Sequence, residues 1–326
     1  MTAVIMDMRT IANNLRQHLR QNVSAFIRQY NQTPGLVVMA MCDDRATIDN
    51  IRSLSNVATD AGIHFSAQLF PNNVKIHELR KYIEQHNQDS SIHAISLQLP
   101  LPKHLNVDEV ASFISPEKDV EGLHPTNMGH LLMGKPNLVP SSALSAIKLL
   151  GLYNINPTSR HAVIVGRSLE VGRPLACLLT KADATVTLCH TQTNNLLAHT
   201  RQAEILIVAA GEPGLIKAEM IRPGAVVIDY GLNYVARDKV IGDVEFERSL
   251  TVAGAITPVP GGIGPLTNIC LLENVLKAAR AIASVERTSP RAIIDSDPAV
   301  GLKPEGKPAL DYKPNQIPPM AVVGAA

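Results

Sequence analysis

Apolar residues recur along this chain in two rhythms, and the alternation between them predicts its architecture. Ile11, Leu15, Leu19, Val23, Phe26 and Ile27 share one face of a helix over 9–30, which Thr33-Pro34-Gly35 stops. A buried strand over 36–41 follows. Next comes a helix over about 46–61 that carries Ile48, Ile51, Leu54, Val57 and Ala58 and ends at Gly62. Phe65, Ala67 and Leu69 alternate as a strand, 75–85 reads as a helix, and Ile95, Leu97 and Leu99 alternate again. This β-α-β-α-β order implies a parallel sheet with helices on both faces. The run QLPLP at 98–102 cannot continue a central strand, because each proline removes a ladder donor. It marks the C-terminal end of the strand, where open α/β sheets place their ligands. The polar stretch SPEKDVEGLHPTNMG at 115–129 reads as a long loop of the functional kind.

A second α/β series starts at about residue 145, with strands over 162–165, 185–189, 205–209 and 225–229. A short strand over 252–256 runs into TPVPGGIGPLT at 257–267, where three prolines and three glycines make a rigid backbone loop. A long apolar helix over about 266–284 follows. Residues 285–326 hold seven prolines and little periodicity, which reads as an extended tail. Within the second series, AVIVGRSLEVGRP at 162–174 gives strand, glycine turn and helix in that order. Such a turn presents helix N-terminal N–H groups to a phosphate. Its glycine spacing is G-x5-G rather than G-x-G-x-x-G, so by itself it leaves a dinucleotide site and an ordinary βα turn both open.

Composition narrows the function classes. At 326 residues the chain is long for one core, so two domains are expected. A net charge of +1 argues against a broad nucleic-acid surface, and the absence of Trp with only 3% aromatics argues against stacking on single strands. No apolar run of ~18 residues is present, so no membrane span is expected. Cys42, Cys177, Cys189 and Cys270 form no C-x-x-C pair, which fits reduced thiols in a cytoplasm. His124 and His130 lack the partners of a metal site, and none is expected. No G-x-S-x-G motif or P-loop is visible.

Seven stretches in order then carry a resemblance. They are QLPLPKH at 98–104, KDVEGLHPTNMG at 118–129, GRSLEVGRP at 166–174, CHTQT at 189–193, DYGLN at 229–233, GDV at 242–244 and TPVPGGIGPLT at 257–267. Together they resemble the bifunctional methylenetetrahydrofolate dehydrogenase/cyclohydrolases over roughly residues 1–284. The resemblance implies an α/β fold with an N-terminal folate-facing domain over 1–140, completed by the helix 266–284. It implies a Rossmann-like NAD(P)-binding domain over 141–265, a cleft between the two, and a homodimer paired through the cofactor domain. The cofactor would be NADP, held by Gly166, Arg167, Ser168, Val171, Gly172, His190, Thr191, Gly211, Gly231 and Thr267, with Arg167 gripping the 2′-phosphate. The substrate would be a tetrahydrofolate derivative touching Thr47, Asn50, Leu99, Pro100, Gly261 and Gly262, with Gln98 and Glu121 as the catalytic pair.

The departures from the family pattern fall on the folate side. The family's Ser-x-x-Tyr-x-x-x-Lys series aligns without a gap, between anchors at Asp43-Asp44 and Ala61-Gly62-Ile63, onto Thr47, Asn50 and Leu54. Glu121 replaces an Asp, Ser141-Ser142-Ala143 replace Cys-Thr-Pro, and Cys42 replaces a Gly. Hydrolysis of a methenyl cation needs an activated water, which Leu54 cannot provide, and Gln98 is no base near neutral pH. Hydride transfer rests mainly on placement. The expectation is therefore an NADP-linked dehydrogenase with the cyclohydrolase step absent or severely weakened. Two alternatives stay open: another folate-linked or pterin-like substrate, or a non-catalytic folate- or nucleotide-binding protein. Tyr312-Lys313 in the tail could return the lost residue types if that arm folded over the cleft.

Overall fold

The computed structural model describes residues 2–41, 45–236 and 239–288. The chain opens with β1 (Val4–Ile5), α1 (Arg9–Tyr30), β2 (Gly35–Ala40), α2 (Arg45–Ala61), β3 (His64–Leu69), α3 (Ile76–Gln88) and β4 (Ala94–Leu97). Helices α4 (Val107–Ser112), α5 (Pro125–Leu132) and α6 (Ser141–Leu152) lead to β5 (His161–Val165), α7 (Gly172–Lys181), β6 (Thr185–Cys189) and α8 (Leu196–Thr200). Strands β7 (Ile205–Val208) and β8 (Val226–Asp229) precede a hairpin of β9 (Asn233–Ala236) and β10 (Lys239–Ile241). The short α9 (Phe246–Ser249), β11 (Ala255–Ile256) and the long α10 (Gly264–Thr288) follow.

Two parallel sheets result, a three-stranded one in the order β3-β2-β4 and a six-stranded one in the order β1-β11-β8-β7-β5-β6. Each is covered on both faces, and the strand period of two sorts the residues. In β2, Leu36 and Val38 pack among residues of α1, α2 and α10, whereas Val37 and Met39 join α3 and α4 on the other face. In β5, Ala162 and Ile164 meet Leu175 and Leu179 of α7, whereas Val163 and Val165 join the opposite layer with Leu206 and Val227. Helix α10 belongs to both halves: Leu266 and Cys270 enter the core of the six-stranded sheet, and Leu272, Val275 and Leu276 enter that of the three-stranded one. Among the described residues, no helix is long and apolar enough to cross a membrane.

Local chemistry sets the ends of the elements. Asn31, in the left-handed region at φ 53°, closes α1 by donating its N–H to Ile27 O at 2.8 Å. The Asn106 side chain accepts Asp108 N at 2.8 Å to start α4. His124 Nδ1 accepts Thr126 N at 3.0 Å at the start of α5, so this histidine is a helix cap. Buried Asn274 of α10 donates to both Val120 O at 2.9 Å and Val139 O at 2.8 Å. These bonds pin the segments on either side of Glu121 and Ser141. Asn274→Ala strands two buried carbonyls and is expected to cost about 2 kcal/mol in a urea unfolding titration.

Several expectations from the pattern need correction. The strand expected through Leu99 ends at Leu97, and all four residues of β4 are buried rather than alternating, because the sheet is covered on both sides. Strand β3 is an edge strand, and Leu69 is 47% exposed although its position in the alternation suggested a core side chain. The loop expected over 115–129 contains the start of α5, where Pro125 in the first turn and the His124 cap favour helix. The last strand is only Ala255–Ile256, and α10 continues to Thr288, past the tail boundary set at 285. Val4–Ile5 gave no periodic signal, yet they pair in parallel with Ala255–Ile256 in the six-stranded sheet, outside the 1–140 grouping. Cys42, the Asp43-Asp44 anchor and the tail residues Tyr312-Lys313 lie outside the described residues.

Candidate active site

The C-terminal ends of the six-stranded sheet gather most of the sequence-predicted cofactor residues in one row, together with Gly261 and Gly262 of the predicted substrate set. Gly166 follows β5, His190 and Thr191 follow β6, Gly211 follows β7, Gly231 follows β8, and Gly261 and Gly262 lie beyond β11. Gly166 has φ +129°, and a Cβ there would lie 2.1 Å from Ala209 O. Gly172 opens α7 against the same turn, and a Cβ on it would lie 1.9 Å from Gly166 O. The two glycines are therefore required by close backbone approach as well as by conformation. Ser168 Oγ accepts Val171 N at 3.1 Å and Ser168 O accepts Arg173 N at 3.1 Å, which tightens the turn onto the start of α7. Arg167 is exposed and has no carboxylate partner among the described residues, which leaves its guanidinium available for an anion. His190 N donates to Thr193 Oγ1 at 2.8 Å, holding the turn that carries the exposed Thr191. Val171 stands immediately before α7, and Thr267 in α10 donates to Ser145 Oγ at 3.2 Å.

Two buried aspartates that the sequence reading passed over brace this row. Asp243 accepts Ala210 N at 2.7 Å, Gly211 N at 2.8 Å and Asn233 Nδ2 at 2.8 Å. Asp229 accepts Gly231 N at 2.8 Å, Asp243 N at 3.0 Å and Val244 N at 2.9 Å. Burial pushes the Asp229 carboxyl up to about 6, and its three backbone donors pull against that rise. Three loops are thus tied together by two carboxylates, and the loop glycines leave room for them. The signal for this was the pair DYG and GDV, each an Asp at the end of an apolar run.

The other half of the site lies at the C-terminal end of β4. Asn50 Nδ2 donates to Gln98 Oε1 at 2.9 Å, and Gln98 Nε2 donates to Ser96 Oγ at 2.8 Å and to Glu121 Oε1 at 3.1 Å. Ser96 Oγ donates to Glu121 Oε1 at 2.6 Å, and Ser141 Oγ donates to Glu121 Oε2 at 3.2 Å. Asn50, Gln98 and Glu121 therefore form one network. Leu99 and Pro100 follow directly, joined by a cis peptide. Burial pushes the Glu121 carboxyl up to about 7, the Ser96 and Ser141 hydroxyls hold it down, and the charges of Glu170 and Asp119 add to the rise. Thr47 is buried one turn before Asn50. Leu54, one turn after Asn50, is completely buried with Val57, Ala58 and Val275, outside the network. Ser96 was missed in the sequence, although a serine inside the apolar run of β4 is the mark of a satisfied buried hydroxyl.

Contacts between the halves hold the two networks in register. Asn268 Nδ2 donates to Ser53 Oγ at 3.1 Å, and Tyr234 OH of the hairpin reaches Asp49 Oδ2 at 3.3 Å. Tyr230 OH donates to Ser142 O at 2.6 Å and shares a hydrogen bond with Ser145 Oγ at 3.1 Å.

With this geometry in place, comparison with known proteins is decisive. The family model described as the catalytic domain of tetrahydrofolate dehydrogenase/cyclohydrolase matches residues 6–121, and that for its NAD(P)-binding domain matches 140–283. The chain belongs to the tetrahydrofolate dehydrogenase/cyclohydrolase family. It is 43% identical over 283 residues to the bifunctional protein FolD of Herpetosiphon aurantiacus, covering 87% of this chain and 99% of that protein. The crystal structure of the bifunctional FolD enzyme of Campylobacter jejuni superposes with a TM-score of 0.81 at 36% identity, covering 86% of this chain and 99% of that one. The Trypanosoma brucei FolD structure, complexed with NADP and an inhibitor, gives a TM-score of 0.83 at 34% identity and covers 86% of this chain and 98% of that one. The family identification agrees with a Rossmann-like NADP-binding layer, and the open Arg167 and the tight Gly166–Gly172 turn fit such a cofactor.

Proposed function

We propose that this chain oxidises 5,10-methylenetetrahydrofolate with NADP and does not hydrolyse the methenyl product. The observation that carries the reading is Leu54, sealed in the core one helical turn from the Asn50–Gln98–Glu121 network. No ammonium stands at that position, and Asn50 occupies the Gln98 carbonyl. Asn50 donates to Gln98, and neither amide can take a proton from water. The folate family to which the relatives belong supports a tetrahydrofolate derivative as the substrate.

NADP, when bound, supplies the hydride acceptor, so that the methylene carbon becomes a cationic methenyl unit. The Gly166–Gly172 turn and the start of α7 would hold its diphosphate, and Arg167 its 2′-phosphate. Glu121 orients the pterin by accepting from its amine, and Gln98 holds Glu121 in place. Gly261 and Gly262 form a backbone surface with no side chain to intervene between two planar rings. Oxidation needs placement and a cation-tolerant wall, and the Glu121 carboxylate supplies the latter.

The reading includes a homodimer joined through the NAD(P)-binding layer and a cytoplasmic location. Edge strand β6, the exposed Leu232 and Val235 at the hairpin, and the free thiols of Cys177, Cys189 and Cys270 support these parts. Light scattering at micromolar concentration is expected to give twice the chain mass.

The decisive assay follows NADPH and methenyltetrahydrofolate together. The expected result is NADPH formation from methylenetetrahydrofolate, with methenyltetrahydrofolate accumulating in equal amount and decaying only at the buffer rate. Enzyme-accelerated loss of methenyltetrahydrofolate would overturn the monofunctional reading. Binding of both ligands without turnover would favour a different folate-linked substrate.

A further inference from the structure

One hydroxyl of the site stands where the core is otherwise apolar. Ser96 is the third residue of β4, paired with Val38 of β2, and it is completely buried. The strand period of two puts it on the same side of β4 as Ala94, which shares a core with Val38, Leu54 of α2 and Val275 of α10. A serine in such a place is costly unless its hydroxyl is bonded. Ser96 Oγ accepts Gln98 Nε2 at 2.8 Å and donates to Glu121 Oε1 at 2.6 Å. Glu121 Oε1 also accepts Gln98 Nε2 at 3.1 Å, whereas Oε2 takes only the longer bond from Ser141 Oγ at 3.2 Å among the described residues. A carboxylate offers roughly four acceptor positions, so the internal donors fill both on Oε1 and leave one open on Oε2.

We propose that Ser96 is a positioning residue for the folate, fastening Glu121 Oε1 to β4 and leaving Oε2 alone to receive a single N–H donor of the pterin. The inference rests on the dehydrogenase reading. Glu121 is one methylene longer than the Asp it replaces in the family pattern, and an untethered glutamate has more rotamers to lose on binding. A bond from the strand to the carboxylate removes that freedom before the substrate arrives. Gln98 cannot do this alone, because its amide is divided between Ser96 Oγ and Glu121 Oε1 and its carbonyl is held by Asn50. The same bond favours the ionised carboxyl. Burial pushes Glu121 up to about 7, and Ser96 leads the groups that hold it down, ahead of Ser141. The charges of Glu170, in the turn before α7, and of Asp119, in the loop of Glu121 itself, both act to raise it and are untouched by a change at Ser96.

The test is Ser96→Ala, with Ser96→Thr as the variant that keeps the hydroxyl and thermal unfolding as the folding control. Ser96→Ala is expected to lower kcat/KM for methylenetetrahydrofolate about tenfold at alkaline pH, where Glu121 is ionised in both proteins. It also moves the acid limb of kcat/KM up by about one pH unit, a readout that a packing defect does not produce. Ser96→Thr restores both. In a Glu121→Ala background, where no carboxylate is left to position, Ser96→Ala changes kcat/KM less than about twofold. An acid limb equal to wild type in Ser96→Ala, a folded Ser96→Thr that behaves like Ser96→Ala, or a full tenfold loss in the Glu121→Ala background overturns the role of Ser96 while the dehydrogenase reading stands. Should the methyl of Thr prove too large for the buried strand, the comparison in the Glu121→Ala background decides. A wild-type chain that forms no NADPH from methylenetetrahydrofolate overturns the dehydrogenase reading, and the hold of Ser96 on Glu121 is then read from denaturant titrations. Stability falls with rising pH until about 7 in the wild type and is expected to go on falling until about 8 in Ser96→Ala. A decline that ends at the same pH in both proteins overturns that hold.

Discussion

Gly172→Ala is expected to raise the KM for NADP by about a hundredfold, with correct folding of the first sheet retained. The new methyl would sit 1.9 Å from Gly166 O, 2.7 Å from Gly166 C and 2.9 Å from Arg167 Cα. All three are backbone or Cα atoms, so no side chain can swing aside. The turn must move by more than an ångström, and it carries Arg167, Ser168 and the start of α7. Misplacement on that scale is enough to cost about two orders of magnitude in a positioned reaction. Calorimetric titration with NADP checks the loss directly. Gly129→Ala is the control, because nothing lies within 4 Å of a Cβ there and the residue is inside α5. That variant should bind NADP as the wild type does and be slightly more stable. Wild-type NADP affinity in Gly172→Ala would refute the role assigned to the turn.

The second large effect belongs to Glu121. Glu121→Gln is expected to lower kcat/KM for the folate by about a hundredfold, the worth of a charge-assisted hydrogen bond to a pterin amine. In the wild type, kcat/KM should fall about tenfold per pH unit below about 7, where the carboxyl takes up its proton and loses the negative charge that strengthens its bond to the amine. The same group carries an opposite stability signature. Unfolded, the carboxyl titrates near 4.5; folded, it titrates near 7. Below the first value both states hold the proton, and burial of Glu121 costs nothing through ionisation. Between the two the unfolded chain ionises while the folded one resists, so stability declines as pH rises and the loss is complete above the second value. The gap corresponds to about 3 kcal/mol. Glu121→Gln should therefore be more stable than wild type at pH 8, by up to that amount, and equal to it at pH 4. Denaturant titrations at the two pH values check this. A site residue whose replacement stabilises the fold while removing activity is held for its chemistry.

These expectations show where the site was legible. The glycine turn, the row of loops beyond the strands and the pairing of Asn50 with Gln98 all lay at positions that motif order had marked. The residues that were passed over share a different character. Ser96, Asp229, Asp243 and Asn274 are polar groups within or at the ends of apolar segments, and each is buried with at least one hydrogen bond to chain that is not adjacent in sequence. A single buried polar residue is visible in a sequence, but its partners are not.

The amino-acid sequence by itself determined the local and periodic features. Apolar runs and periodicity near 3.6 depend on each residue's own position in its element, so β2, β5, α1 with its apolar face and α10 could be anticipated. Replacement of the expected lysine by Leu54 was visible in the same way, because it is a matter of identity at one position. Tertiary structure alone decided what depends on non-local contact. It placed Val4–Ile5 in the distant sheet, where two residues too few to show a period are ordered by pairing with Ala255–Ile256. It set α10 across both cores, so that Asn274 holds the chain on either side of Glu121. It also buried Glu121 where the Ser96 and Ser141 hydroxyls donate to it, 25 and 20 positions away in the chain, and that burial pushes the carboxyl up to about 7.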